Sequence, residues 1–213
     1  MSLIGMATYY MTHQVSYCRG PQGFFVVNKR GSILPQLRQE LVDDALRKAD
    51  PTHLLFIDSD EAFPPSALNR LLEHRKQVVG VNFPIKKTPS GWTARMRKNG
   101  TFVPVNSSPT SPALGQVDRI GTGMLLIEAD VFKNLRRPWF SIEWRNDMVV
   151  GEDWWLCERL DEAGVPIFVD HRLSLEVEHI GEYGFSSKDV AHDYGTVTGA
   201  PFCEVANDEA TGN

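Results

Sequence analysis

The chain has 213 residues, 42% of them hydrophobic and 23% charged, and its net charge is −5. These values fit a globular domain with a core of its own and exclude a protein that binds nucleic acid through an overall basic surface. Three distant cysteines, Cys18, Cys157 and Cys203, exclude a disulfide framework and a zinc spacing, so we expect a reducing, cytoplasmic location.

The N-terminal part of the chain predicts two strands and a helix. Residues 2–7 are apolar enough for a first strand, but they lack the basic start of a signal peptide and are too short to span a membrane. Aromatic and β-branched residues predict a second strand over residues 24–28. Ser32 is a natural N-cap for a helix over residues 33–48, where leucines recur at helical spacing.

Arg38 lies one turn into this predicted helix. Together with Arg30 and the helix N-terminus, it can receive a phosphate group. An equally good alternative is a surface arginine that pairs with Glu40 or Asp43. Spacing alone leaves both interpretations open.

The strongest local signal is a buried strand that runs into two aspartates. Residues 54–57 form a continuous apolar run, and Asp58 and Asp60 follow directly. Open α/β sheets bind ligands beyond the carboxyl ends of their strands, and residues two apart in a strand face the same side. Two such carboxylates can hold Mg²⁺ or Mn²⁺. The alternative is a solvated acidic turn that caps a short helix over residues 65–73.

A basic stretch follows between His74 and Lys98, with seven lysines and arginines and no acidic residue. It indicates either a solvated loop or contact with an anionic partner. It overlaps residues 84–115, which we interpret as a long insertion. That insertion contains one predicted hairpin, residues 93–97 against 101–103, which turns at residues 99–100.

Two further segments carry polar groups next to glycine. Residues 121–123, Gly-Thr-Gly, precede a buried strand over 124–127 and allow close approach of a ligand to the backbone. Glu152 and Asp153 open a helix over residues 154–163, where carboxylates either cap the helix or supply a general base.

A histidine appears late in the chain, after an apolar strand predicted over residues 166–170. His179 follows an alternating segment and precedes Gly181. A lone histidine is usually structural, but this one can add an imidazole to a carboxylate-bound Mn²⁺.

Taken in order, residues 56–60, 121–127, 151–154 and 177–181 resemble the motifs of nucleotide-sugar-dependent glycosyltransferases of the GT-A fold. The resemblance is greatest to small family-two-like members of phages and bacteria, and it runs from about Leu3 to Tyr183. It implies an α/β fold in which a Rossmann-like mixed sheet is flanked by helices. We therefore expect one domain over residues 1–202 and a flexible tail over 203–213.

The resemblance also implies metal and catalytic roles. Asp58 faces the ribose of the donor and contributes with Asp60 and His179 to a site for Mn²⁺ or Mg²⁺. Asp153 matches the general base of inverting members, and Glu152 supports it.

Donor contacts are implied in the same way. Thr8 and Tyr9 fall where the first-strand loop holds the base, and Arg38 falls where the first long helix carries an arginine. Gly121 and Gly123 fall near the donor sugar and the acceptor. The chain departs from the family pattern in the compressed region before residue 24, which bears on base recognition.

The expected function is metal-dependent transfer of a sugar from a nucleotide-diphosphate sugar, with a UDP-sugar as the expected donor, to an acceptor hydroxyl. The acceptor is open: a glycan is one candidate and a modified DNA base is another, which the basic stretch would contact through phosphates. The alternatives are a nucleotidyltransferase and a non-catalytic module that binds a nucleotide sugar. The expected location is the cytoplasm of a bacterium or of a phage-infected host.

Overall fold

A computed structural model of the protein describes residues 23, 25–87, 89–181 and 184–190. Five α-helices lie in these ranges: α1 Leu34–Ala49, α2 Ala67–Glu73, α3 Ala129–Asn134, α4 Glu152–Glu162 and α5 His171–Ser174. The strands are β1 His53–Ile57, β2 Glu61–Ala62, β3 Val78–Gly80, β4 Arg95–Lys98, β5 Thr101–Pro104, β6 Leu114–Val117, β7 Met124–Glu128, β8 Glu143–Arg145, β9 Met148–Val150, β10 Ile167–Asp170, β11 Glu178–Ile180 and β12 Gly184–Phe185. A short 3-10 helix, Ser187–Asp189, follows them.

Five of these strands form a mixed central sheet in the order β1-β7-β3-β10-β6. Strands β3 and β10 are parallel, whereas β7 runs antiparallel to both β1 and β3, and β6 runs antiparallel to β10. The carboxyl ends of β1, β3 and β10 therefore lie along one edge of the sheet, and the segment before β7 enters the sheet at that same edge.

Both faces of the sheet are buried, as the continuous apolar strands predict. Alternate residues of β7 point to opposite faces: Leu125 and Ile127 belong to one apolar cluster, and Met124 and Leu126 to the other. The first cluster includes residues of α1, α3 and α4, and the second includes residues of α2 and α5. Each fully buried leucine or isoleucine side chain contributes about 1.5–3 kcal/mol to folding.

A second, smaller sheet lies beyond the carboxyl end of β1. Its order is β12-β11-β2, with antiparallel pairing that sets His179 opposite Glu61. The backbone N–H of Ile180 also donates to the carbonyl of Asp60 at 2.7 Å. This pairing brings a late segment of the chain onto the residues that follow β1.

The α/β class with a mixed sheet and flanking helices is confirmed, and several predicted elements are found within two residues of their expected ends. They are the helix at 33–48, the strands at 54–57, 124–127 and 166–170, the helix at 154–163 and the hairpin that turns at Asn99 and Gly100. The predicted insertion at residues 84–115 contains this hairpin and extends to β6, whose first residue is Leu114.

Two predictions near the N-terminus are wrong. Residues 25–28 are irregular, and Phe25 and Val26 are exposed, so the aromatic content of this segment does not form a strand. Ser32 does not cap α1, because Ile33 holds the capping position and makes no side-chain hydrogen bond there. The strand predicted at residues 2–7 lies outside the described residues. Among those described, no helix is long and apolar enough to cross a membrane.

Candidate metal centre and adjoining acidic pair

Three potential metal ligands converge where β2 pairs with β11. One ligand atom from each of Asp60, Glu61 and His179 lies within 4.8 Å of the other two. Nε2 of His179 is 3.8 Å from Oδ2 of Asp60 and 3.7 Å from Oε1 of Glu61. Two carboxylate oxygens and an imidazole nitrogen suit a divalent ion such as Mn²⁺, because carboxylates favour hard ions and imidazole favours softer transition metals.

One carboxylate oxygen of Glu61 has no hydrogen-bond partner in this cluster. Its side chain is 2% exposed, and its buried Oε2 makes no hydrogen bond. Burial, followed by the negative charges of Asp60 and Asp58, raises the pKa of Glu61 to about 9. A buried carboxyl without a partner is costly, and a bound cation would stabilise its charged form. The site therefore fits a metal ion by its chemistry as well as by its spacing.

His179 is held in the tautomer that a metal ligand needs. Its Nδ1 is 3.0 Å from the carbonyl oxygen of Pro84. Because a carbonyl only accepts, Nδ1 carries the proton in this contact, which leaves the lone pair of Nε2 facing the carboxylates. The ring also contacts Phe83, with ring centroids 6.0 Å apart.

Asp60 already has a cationic partner within the chain. Nζ of Lys86 lies 2.5 Å from its Oδ2. Burial alone would raise the pKa of Asp60, but the hydrogen bond and charge of Lys86 outweigh it and hold the pKa below its ordinary value. Asp60 is thus ionised and ready to bind a cation.

Asp58 lies outside this cluster and pairs with Arg38. Strand β1 ends at Ile57, and Asp58 to Asp60 form a turn, so the two aspartates need not face the same side. Nη2 of Arg38 lies 2.9 and 3.1 Å from the two carboxylate oxygens of Asp58. Its Nε is 3.6 Å from Oε1 of Glu152. Arg38, which is 4% exposed, thereby connects α1, the end of β1 and the start of α4.

The acidic pair begins α4, as predicted from the sequence. The backbone N–H of Trp154 donates to Oδ1 of Asp153 at 2.7 Å. Burial, followed by the charge of Glu152, raises the pKa of Asp153 to about 6. A carboxylate with this pKa is mostly ionised at neutral pH and still accepts a proton readily, which suits a general base.

The segment before β7 lies between the metal ligands and the acidic pair. A methyl group at Gly123 would lie 2.5 Å from Oε1 of Glu61, and one at Gly121 would lie 4.0 Å from Oδ2 of Asp153. The Cα atoms of residues two apart are at most about 7 Å from each other. Glu61 and Asp153 therefore face neighbouring parts of one short backbone segment.

The structure also places the remaining predicted site residues. Thr8 and Tyr9 lie outside the described residues. Arg38 does not pair with Glu40 or Asp43, the surface partners considered for it. Glu40 pairs with Lys29, and Asp43 pairs with Arg137. Its contacts with Asp58 and Glu152 give it a structural role at the site.

Three side chains of the basic stretch have partners within the protein. Arg95 is buried and donates to the carbonyl of Ala94, and Lys86 pairs with Asp60. Arg97 pairs with Asp161, which lies far from it in sequence. Acidic residues from other elements thus neutralise part of a segment that contains none itself.

Sequence reasoning missed Glu61 and did not assign a specific role to Lys86. The signal for Glu61 was its position directly after the Asp-x-Asp motif, but its burial depends on β11, which follows more than a hundred residues later. In the sequence, Lys86 is one of seven lysines and arginines between His74 and Lys98, and no local pattern distinguishes it from the others.

Comparison with known proteins gives a fold neighbour and no family. No family model matches the chain, and no curated protein does. The crystal structure of A197 from STIV is similar in fold, with a TM-score of 0.54 at 18% identity over 77% of each chain. At this identity the likeness bears on the fold alone.

Proposed function

We propose that the protein is a metal-dependent glycosyltransferase of the GT-A type, which moves a sugar from a nucleotide-diphosphate sugar to an acceptor hydroxyl. The main support is the convergence of three sequence-distant signals: the end of β1, the start of α4 and the late histidine. Asp60, Glu61 and His179 form one cluster, and Asp58 is joined through Arg38 to Glu152.

The cation site serves the leaving group. Asp60, Glu61 and His179 would hold a divalent ion, which would supply positive charge to offset the negative charge of the departing nucleoside diphosphate. Of the candidate ions, Mn²⁺ suits the mixed oxygen and nitrogen donors better than Mg²⁺ does. Such ions keep positions for phosphate oxygens when a protein supplies only part of their ligands.

Asp153 performs the proton transfer. The acceptor oxygen bonds to the anomeric carbon of the donor sugar, and the bond from that carbon to the diphosphate oxygen breaks with its electron pair. The acceptor proton passes to Asp153, whose raised pKa near 6 matches this task. Attack from the side opposite the leaving group inverts the anomeric centre.

Arg38 and Glu152 hold this arrangement together. The buried guanidinium fixes Asp58 at the end of β1 and Glu152 next to the base. The positive charge of Arg38 attracts both carboxylates and so keeps Asp58 and Glu152 close to each other. Without the arginine, the two negative charges would repel each other. Arg38 is thus a positioning residue in the proposed mechanism.

A donor screen tests the proposal. Thermal unfolding is measured for the protein with each of a panel of nucleotide sugars, with and without Mn²⁺. We expect one donor class to raise the Tm only when Mn²⁺ is present. At a donor concentration of a hundred times the Kd, the free energy of unfolding should rise by about 2.7 kcal/mol.

Hydrolysis of that donor then separates catalysis from binding alone. We expect slow hydrolysis by the wild type and none above background by Asp153→Asn. Binding without hydrolysis by either protein would indicate a non-catalytic binding module. The absence of any Mn²⁺-dependent Tm shift across the panel would refute the proposed function.

A further inference from the structure

Lys86 lies at the solvent-exposed border of the proposed cation site. Its ammonium contacts Oδ2 of Asp60, and Oδ2 is also the oxygen that lies 3.8 Å from Nε2 of His179. The positive charge of Lys86 therefore already occupies part of the site that a divalent ion needs. Lys86 and Asp60 are both partly accessible, with side chains 31% and 43% exposed.

The backbone that carries Lys86 is fixed next to the site. The carbonyl of Pro84 accepts the hydrogen bond from His179, and Pro84 also forms a β-bridge with Trp92. The N–H of Ile85 donates to the carbonyl of Gly91 at 2.8 Å. Because the base of the segment is held, the four-carbon stem of Lys86 can change direction without a change in the backbone.

A divalent ion and the Lys86 ammonium would compete for Oδ2 of Asp60. The ion binds the carboxylate directly, and two cations at that distance repel each other in a partly desolvated site. Glu61, buried and without a hydrogen bond at Oε2, supplies the additional carboxylate that favours the ion over the lysine. Binding of the ion would therefore weaken the contact between Lys86 and Asp60.

We propose that Lys86 is a displaceable counter-charge: it neutralises Asp60 in the cation-free protein and moves to the donor's diphosphate when the ion binds. Phosphate groups bound to the ion would lie within reach of a lysine attached this close to the site, and lysine is a common ligand of phosphate. The inference rests on the proposed function, because it assigns the released lysine to the same donor.

Direct binding measurements test this inference. Mn²⁺ binding is measured by electron paramagnetic resonance, and UDP binding at saturating Mn²⁺ by calorimetry. Both are measured for the wild type, Lys86→Met and Lys98→Met. Lys98 is the matched control, since it is an exposed lysine at the end of β4. Circular dichroism checks that each variant is folded, and Lys86→Arg serves as a second variant that keeps the charge.

We expect Lys86→Met to bind Mn²⁺ about threefold to tenfold more tightly, because the competing ion pair is partly exposed and so of modest strength. The same variant should bind UDP about tenfold more weakly, through loss of one charge-assisted contact. Lys98→Met should match the wild type in both measurements, and Lys86→Arg should keep Mn²⁺ binding within about twofold of the wild type.

Unchanged or weaker Mn²⁺ binding by Lys86→Met would overturn the inference, as would unchanged UDP binding. The proposed function fails separately, when no nucleotide sugar of the panel shifts the Tm of the wild type in the presence of Mn²⁺. A wild type that binds both ligands, with Lys86→Met indistinguishable from it, removes only the role of Lys86.

Discussion

Single carboxyl groups at this site differ in pKa because their neighbours differ. Against the effect of burial, the ammonium of Lys86 lowers the pKa of Asp60. Burial, followed by the negative charges of Asp60 and Asp58, raises the pKa of Glu61, the next residue in sequence. Burial, followed by the charge of Glu152, raises the pKa of Asp153 to about 6. Carboxyl groups with such different pKa values are typical of active sites in which one group stays charged and another takes up or releases a proton.

The raised pKa of Asp153 predicts the pH dependence of turnover. Donor hydrolysis should fall about tenfold per pH unit below pH 6, where the base becomes protonated, and should level off above it. Asp153→Asn should lose about 10²–10⁴-fold in rate while it binds Mn²⁺ and UDP like the wild type. The matched control is Asp161→Asn, an exposed carboxylate in the last turn of the same helix, which should leave the profile intact. A flat profile between pH 5 and 8 would contradict the role of Asp153.

The raised pKa of Glu61 predicts how stability depends on pH without a cation. The unfolded chain releases this proton near pH 4.5, whereas the folded protein keeps it until about pH 9. The free energy of unfolding should therefore fall as pH rises between these values. Urea unfolding at pH 8 without metal should show Glu61→Gln more stable than the wild type by about 1–2 kcal/mol, and equal to it at pH 4. The same pH slope in both proteins would count against the buried, unpaired state of Glu61.

Among the elements, the pairing of β2 with β11 decides the geometry of the site, and it was the least predictable feature. The apolar run of β1 and the helix start at Glu152 are local patterns, and both were found where the sequence placed them. Register between β2 and β11 is a non-local property, so the sequence alone showed neither that His179 lies opposite Glu61 nor that Glu61 is buried.

The prediction that Asp58 and Asp60 face the same side is wrong, because β1 ends at Ile57. Asp58 and Asp60 would face the same side only if the backbone were extended through both residues. The strand ends before them, and the turn sends Asp58 toward Arg38 and Asp60 toward Lys86 and His179. Conversely, the exposed aromatic and β-branched residues before α1 show that composition predicts a strand only where a partner strand is available.

The segment between β6 and β7 offers a matched pair of substitutions at the element scale. Gly123→Ala would place a methyl group 2.5 Å from Oε1 of Glu61 and force that carboxylate to move, whereas the nearest atoms to a methyl group at Gly121 are at 3.9 and 4.0 Å. We expect Gly123→Ala to weaken Mn²⁺ binding about tenfold, since one ligand is displaced. Gly121→Ala should bind Mn²⁺ like the wild type. Equal affinities in the two variants, both folded by circular dichroism, would argue that Glu61 is not a ligand.

For the whole molecule, apolar clusters cover both faces of the central sheet, and the candidate site lies at the carboxyl edge of its parallel strands. Asp58 (just after β1), the glycine segment before β7 and the small sheet that carries His179 all lie at that edge. The likeness to A197 from STIV concerns the fold and not the residues at this edge. The function depends on the groups at the edge, because one fold hosts many activities.

The most direct test is anomalous diffraction from crystals soaked with MnCl₂ and UDP. We expect one Mn²⁺ peak about 2 Å from carboxylate oxygens of Asp60 and Glu61 and from Nε2 of His179. The diphosphate should contact that ion on the side facing Gly121 and Gly123. A peak elsewhere, or no peak at these three residues at millimolar Mn²⁺, would contradict this expectation.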